Sequence, residues 1–183
     1  NAQTNVVTLQ QPAPCAHWIV LDIETSDAPD TAVEAAIAAW KAPSNWKPET
    51  VEKNRAEAAE RIRAKAALLD ASPIACVAMK SDLASVVFSS MGAGSDIQIP
   101  GWAVAQFADE ATMLTALQLW LDGCADDATI LAGHNVRGFD LPKLRNGYVR
   151  HRLALPRCLR PRLDGPGQNV VDTGADLLPL SCL

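Results

Sequence analysis

The sequence predicts an α/β domain with one mixed β-sheet and helices on its faces. Three observations lead there. Short apolar, β-branched runs of strand length (residues 19–21, 129–132 and 170–171) stop abruptly at polar residues or glycine. Longer stretches with apolar residues at helical spacing lie between them. The two kinds follow one another in the order β–αα–ββ–α–β–α–β, as strands and crossover helices do. A chain of 183 residues, 49% hydrophobic and 20% charged, fits one domain with a substantial core.

Residues 1–16 are mostly polar or small, with neither a basic start nor an apolar stretch of signal-peptide length. They read as a loose tail, and a start at Asn marks a processed or artificial end. The first strand, 19–21, stops at Asp22. From 27 to 72 the composition shifts to Ala, Glu, Lys and Arg. Val33, Ile37 and Trp40 share one helical face, and Pro43, Ser44-Asn45 and Pro48 break it. A second helix starts near Pro48-Glu49, with Val51, Ala58, Ile62 and Leu69 as its stripe and Glu57 and Arg61 as an i,i+4 pair, and ends near 70–73. Together they make a helical insertion over 28–72.

Residues 73–80 and 84–90 form a hairpin turned at Ser81-Asp82. A loop with Gly92, Gly94 and Gly101 follows. A helix over 109–121 starts near Ala108-Asp109 and places Met113, Leu114, Leu117 and Leu121 on one face. The strand 129–132 ends in Gly133-His134-Asn135. A basic helix covers 141–153, a Pro/Arg-rich loop 156–167, and a last strand Val170-Val171.

No apolar run approaches the roughly 20 residues of a membrane helix. Five scattered cysteines (Cys15, Cys76, Cys124, Cys158, Cys182), an odd number without CxxC spacing, fit neither a disulfide framework nor a zinc site and point to a reducing, cytoplasmic compartment. A net charge of −5 argues against a general polyanion binder. The distribution is less even, because residues 137–162 hold half of the 16 basic residues, Arg137 and Lys143 among them, with Asp140 the only acid. Such a block is either solvated surface or a patch that meets phosphates.

The first strand poses the functional question. Residues two apart on a strand point to the same face, so Asp22 and Glu24 project together where open α/β sheets place their ligands. Two carboxylates so close repel each other, and a hard divalent cation removes that cost. Read alone, an Asp-x-Glu pair is also an ordinary strand-end cap. The strand 129–132 delivers a second group, GHNVRGFD, in which Asn135 and Asp140 frame a strand-to-helix turn. Asp140 falls in the first helical turn, where the dipole favours a carboxylate.

DIET after one buried strand and HNxxxFD after another, about a hundred residues on, resembles motifs I and II of the DEDD superfamily of 3′–5′ exonucleases. The likeness covers about residues 17–178 and extends to the hairpin, the helix 109–121 and NVVDT at 169–173. It implies a ribonuclease H-like fold and a two-metal hydrolysis of DNA with Mg²⁺ or Mn²⁺. It further implies that Asp22 bridges both ions, that Glu24 binds one ion and the 3′ end, and that Asp140 binds the other ion. By the same carry-over Thr25 touches the terminal nucleotide, and Asn135 and Phe139 hold the second motif and the penultimate nucleotide. Arg137 and Lys143 meet phosphates. The implied partner is nucleic acid, a single strand or a 3′ end, with a polymerase or replication protein beside it. The larger insertion is similar to those of phage and prokaryotic predicted exonucleases of the group.

One part of the pattern is missing. The family takes a fourth acid from a Tyr or His followed by Asp four or five residues later. Here Tyr148 is followed at +4 by Arg152 and His151 at +5 by Pro156. Asp176 is the one late candidate, and Thr173-Gly-Ala-Asp176 matches a capping box instead. Asp172 stands where the family has a non-catalytic aspartate. The expectation is a chain truncated at its C-terminus, either less active for want of that ligand or a silent nucleic-acid-binding module.

Overall fold

A computed structural model of the chain describes residues 16–92, 97–160 and 169–176. Cys15, Cys182, Gly94, Arg162 and the tail up to residue 15 lie outside the described residues, as do residues 177–183. The chain divides into two compact units, one of Asn1–Glu24 and Ile74–Leu183, the other of Thr25–Pro73.

In chain order the elements are β1 (Trp18–Thr25), α1 (Asp30–Ala39), α2 (Pro48–Ala64), β2 (Ile74–Ser81), β3 (Ser85–Ser89), β4 (Ala103–Gln106), α3 (Glu110–Cys124), β5 (Ile130–Gly133), α4 (Asp140–Arg150), β6 (Val170–Asp172) and α5 (Thr173–Asp176). The strands form one six-stranded mixed sheet in the order β4-β3-β2-β1-β5-β6. The α/β class with flanking helices is as the sequence predicts, and the architecture is compatible with a ribonuclease H-like fold.

Pairing follows from local chemistry. Ser81 closes the β2–β3 hairpin: its N–H donates to Ala84 O at 2.8 Å, and its hydroxyl accepts from the N–H groups of Leu83 and Ala84. The two strands then run antiparallel from Lys80↔Ser85 to Cys76↔Ser89. β5 lies parallel to β1, with Val20 opposite Ala132, and β6 parallel to β5, with Ala132 opposite Val171 and Gly133 opposite Asp172.

Along β1 the alternation is strict. Ile19, Leu21 and Ile23 are buried, whereas Val20, Asp22 and Glu24 are exposed. The buried face shares one core with Met113, Leu114 and Leu117 of α3 and Leu141, Leu144 and Tyr148 of α4. Each such side chain contributes about 1.5–3 kcal/mol. Asp109 caps α3 by accepting the Thr112 N–H at 2.8 Å. Glu110, 8% exposed, ties three elements: it accepts the Ile74 N–H at 2.9 Å, Arg150 at 2.7 Å and His151 at 2.7 Å. Tyr148 is fully buried and donates to Leu114 O at 2.9 Å. On the other face Val20, Ile130 and Val171 are each 40–43% exposed, a half-open apolar row that Asp22 and Glu24 continue along β1.

Several elements differ from the sequence expectation. β1 does not stop at Asp22 but runs on to Thr25, so the acid pair lies within the strand; α3 continues to Cys124, and α5 was not expected. β4 was not predicted; four residues without β-branched alternation form it by pairing parallel to β3 at the sheet edge. α2 stops at Ala64, short of 70–73, and a 3₁₀ turn (Ala66–Leu68) follows, held by the Ser72 hydroxyl on Ala66 O at 2.6 Å. α4 ends at Arg150 rather than 153. Arg152 takes the left-handed conformation (φ 55°), and the Leu153 N–H turns back to Tyr148 O at 2.9 Å.

The Thr25–Pro73 unit has its own small core of Ala28, Val33 and Ala66 with Ile37, Ile62 and Leu69 around it. Its ends meet where the Ser26 N–H donates to Pro73 O at 3.0 Å. Among the described residues no helix is long and apolar enough to cross a membrane.

Candidate active site

The site is built where β5 ends beside the middle of β1, with Ala132 opposite Val20 and β1 running on to Thr25. Gly133 closes β5 at a point where only a hydrogen fits, since a Cβ there would stand 2.7 Å from Leu21 O. The chain then turns through Asn135, whose φ of 54° suits asparagine better than most side chains. Asn135 O accepts the N–H groups of Gly138 (3.0 Å) and Phe139 (2.9 Å), which delivers α4 with Asp140 as its first residue.

Asp140 is 3% exposed, and its Oδ1 accepts the Ile23 N–H at 3.0 Å, across 117 residues of sequence. Ile23 is the residue between Asp22 and Glu24, so this bond seats the Asp140 carboxyl against the backbone that carries the acid pair. Burial pushes the Asp140 carboxyl up to about 6. The Asp22 and Asp172 carboxylates add to the rise, while the Ile23 N–H and its own backbone N–H oppose it. Asp22 and Glu24 are exposed on the strand face.

Asp172, buried at the end of β6, has another role. Burial pushes its carboxyl up, but N–H donors from Arg137, Gly174, Ala175 and Asn135 outweigh that and hold it below the usual range. It accepts Arg137 N–H at 2.9 Å and Gly174 N–H at 3.0 Å. Asp176 reaches back to the Asp172 N–H at 2.9 Å and pairs with Arg137 at 2.8 Å. This is the capping role its sequence pattern suggested, set one residue earlier.

The remaining sequence-predicted residues fall as follows. The Thr25 hydroxyl donates to Ala67 O at 2.6 Å, within its own unit. Asn135 is exposed and shapes the turn, with its Oδ1 against Gly138. Phe139 is half-buried, and the ammonium of Lys143, itself 4% exposed, lies 5.7 Å from its ring centroid. Besides pairing with Asp176, Arg137 donates to Val170 O. His134 is exposed, with Nδ1 3.4 Å from the Thr173 hydroxyl.

Other arginines of the basic stretch bond the chain's own carbonyls at the surface. Arg145 donates to Leu159 O and Arg160 O, Arg157 to Asp122 O, and Arg160 to Leu155 O. Most of its guanidinium groups thus hold a partner within the chain, a use that neither sequence reading of the block foresaw.

Sequence reasoning passed over Cys76. It is half-buried on β2, beside β1, and burial together with the Glu24 and Asp22 carboxylates raises its thiol. No signal in the sequence marks it, because its place beside the acids depends on strand order.

Among the described residues no group of three or more His, Cys, Asp or Glu side chains is gathered closely enough to hold a metal ion. The chemistry of the donor set nonetheless fits a hard divalent cation. Asp22, Glu24 and Asp140 are all oxygen donors, Asp22 already acts on Asp140, and the two exposed acids keep their rotamer freedom. No protein-family model matches the chain, and comparison with curated proteins gives no match.

Proposed function

We propose that the chain is a metal-dependent 3′–5′ exonuclease domain of ribonuclease H-like type that hydrolyses phosphodiester bonds of DNA. The observation that carries the proposal is the bond from Ile23 N–H to Asp140 Oδ1, 3.0 Å, which joins the two acidic segments at one end of the sheet. A buried carboxyl beside another carboxylate is costly to ionise, and a cation offsets that cost. Asp22, Glu24 and Asp140 would hold two Mg²⁺ or Mn²⁺ ions, which when bound lower the pKa of a water and neutralise charge at the scissile phosphate.

The chain's own groups supply the positioning. Asp140 is seated on β1 through the Ile23 N–H, and Gly133 and Asn135 shape the turn that brings it there. Asp22 and Glu24, open to solvent, are accessible to a 3′ end. A single strand or 3′ end as ligand, a polymerase or replication protein as partner, and a reducing cytoplasm as setting belong to the same proposal. The free thiols of Cys76 and Cys158 are in keeping with that setting.

A second reading, a silent or incomplete module of the same fold, is favoured by Asp172 and Asp176. Both are bound to backbone N–H groups or Arg137, so neither offers a fourth acid. A 5′-labelled single-stranded DNA incubated with Mn²⁺ decides between them. The nuclease gives a ladder shortening from the 3′ end, abolished by EDTA and reduced more than about 100-fold by Asp22→Ala. Folded protein that binds the strand and leaves it intact is the silent module.

A further inference from the structure

We propose a second site, within the Thr25–Pro73 unit: a concavity beside Trp46 that receives one unpaired base of a single-stranded polynucleotide. The chemical class of the ligand rests on the nucleic-acid reading above; the place of the site rests on its own geometry.

The concavity measures about 470 Å³ and is walled by Trp46, Pro48, Val51, Glu52 and Arg55. Trp46 is braced from both sides of its loop. Its N–H donates to Pro43 O at 3.2 Å, its ring lies 6.5 Å from that of Trp40 at 50°, and Pro48 opens α2 two residues later. It is still 37% exposed. An indole fixed this way and left open to solvent is pre-ordered for stacking, so little entropy is lost when a flat ligand arrives.

Charge points to the kind of flat ligand. In a chain of net charge −5, residues 41–55 carry four cations, Lys41, Lys47, Lys53 and Arg55, against Glu49 and Glu52. Among the described residues Lys41, Lys47 and Arg55 enter no ion pair. Uncommitted cations next to an exposed aromatic are the combination that grips single strands, whose phosphates meet the cations while a base stacks. Glu52 in the wall repels phosphate and offers an acceptor to a base N–H, so the base, not the backbone, occupies the concavity. A duplex keeps its bases stacked inside and cannot use the indole.

The test is fluorescence anisotropy of a labelled oligothymidylate with the full chain in EDTA, where no cleavage occurs. The single strand is expected to bind at least about tenfold more tightly than a duplex of the same length. Trp46→Ala is expected to weaken it about tenfold or more, with Trp46→Phe recovering most of the loss. Arg55→Glu, which leaves the Trp40–Trp46 packing untouched, should weaken binding and flatten its salt dependence. Trp46→Ala and Arg55→Glu both binding like the native chain, equal binding of duplex, or no binding of the single strand would each overturn the proposal. Trp46-dependent binding without any nuclease ladder would uphold this site while the exonuclease reading fails. A ladder with Trp46-independent binding would do the reverse.

Discussion

Asp140 and Glu110 are both buried carboxyls, and they respond to pH with opposite signs. Asp140, raised to about 6, stabilises the fold only while protonated. That contribution is complete below the unfolded value near 4 and gone above about pH 6. Without metal, Asp140→Asn is therefore expected to stabilise the chain at pH 7 by up to about 3 kcal/mol, since the amide oxygen still accepts the Ile23 N–H. The gain should vanish near pH 4; urea unfolding in EDTA at both pH values measures it. For Glu110, burial works against ionisation, but Ile74, His151 and Arg150 more than offset it and hold the carboxyl below its usual range. Its contribution is present above the unfolded value, near 4, and is lost as pH falls through the lower folded one. Glu110→Ala should cost about 2 kcal/mol at pH 7, chiefly by leaving the buried Ile74 N–H without its acceptor, and progressively less as the pH falls below about 4. Asp22, Glu24 and Asp140 were legible because strand alternation and a strand-to-helix turn are local patterns. The Ile23 N–H and Cys76 were not, because the strand order that places them beside the acids is a tertiary fact.

The elements that carry the site depend on close backbone approach. A Cβ at Gly133 would meet Leu21 O at 2.7 Å and Val136 Cβ at 3.1 Å, so Gly133→Ala must part β5 from β1 just where the acids are mounted. The expected result is a loss of about 2 kcal/mol in stability and a fall in nuclease rate of about 100-fold, larger than the stability loss accounts for. Chemical denaturation and the oligonucleotide assay on one preparation separate the two effects. The strands β1, β2, β3, β5 and β6 and the helix α3 were legible from periodicity and turn residues. β4 was not, since an edge strand of four residues, Ala-Val-Ala-Gln, owes its form to β3. The end of α4 was missed because the left-handed Arg152 is a non-glycine residue, and nothing in the sequence announces such a stop.

At the scale of the whole molecule, each unit has its own core. The sheet core draws no residue from 25–73 among the described residues, and the insertion's core draws none from outside it. With Ser26 and Pro73 joined by a hydrogen bond, a short Gly/Ser link replacing 27–72 should leave a folded sheet unit that unfolds cooperatively; an aggregated or molten product would refute separate cores. The insertion was visible as a shift in composition, whereas the bonds of the basic stretch to the chain's own carbonyls and carboxylates were not, because charge runs say nothing about partners.

The central claim is that Asp22, Glu24 and Asp140 form a divalent-cation site, and titration calorimetry with Mn²⁺ tests it whether or not a fourth acid is present. Binding of up to two ions per chain is expected, weakened at least about tenfold by Asp22→Ala and reduced by one ion in Asp140→Asn. A folded chain that binds no Mn²⁺ at millimolar concentration, or binds it equally well without Asp22, would contradict the account.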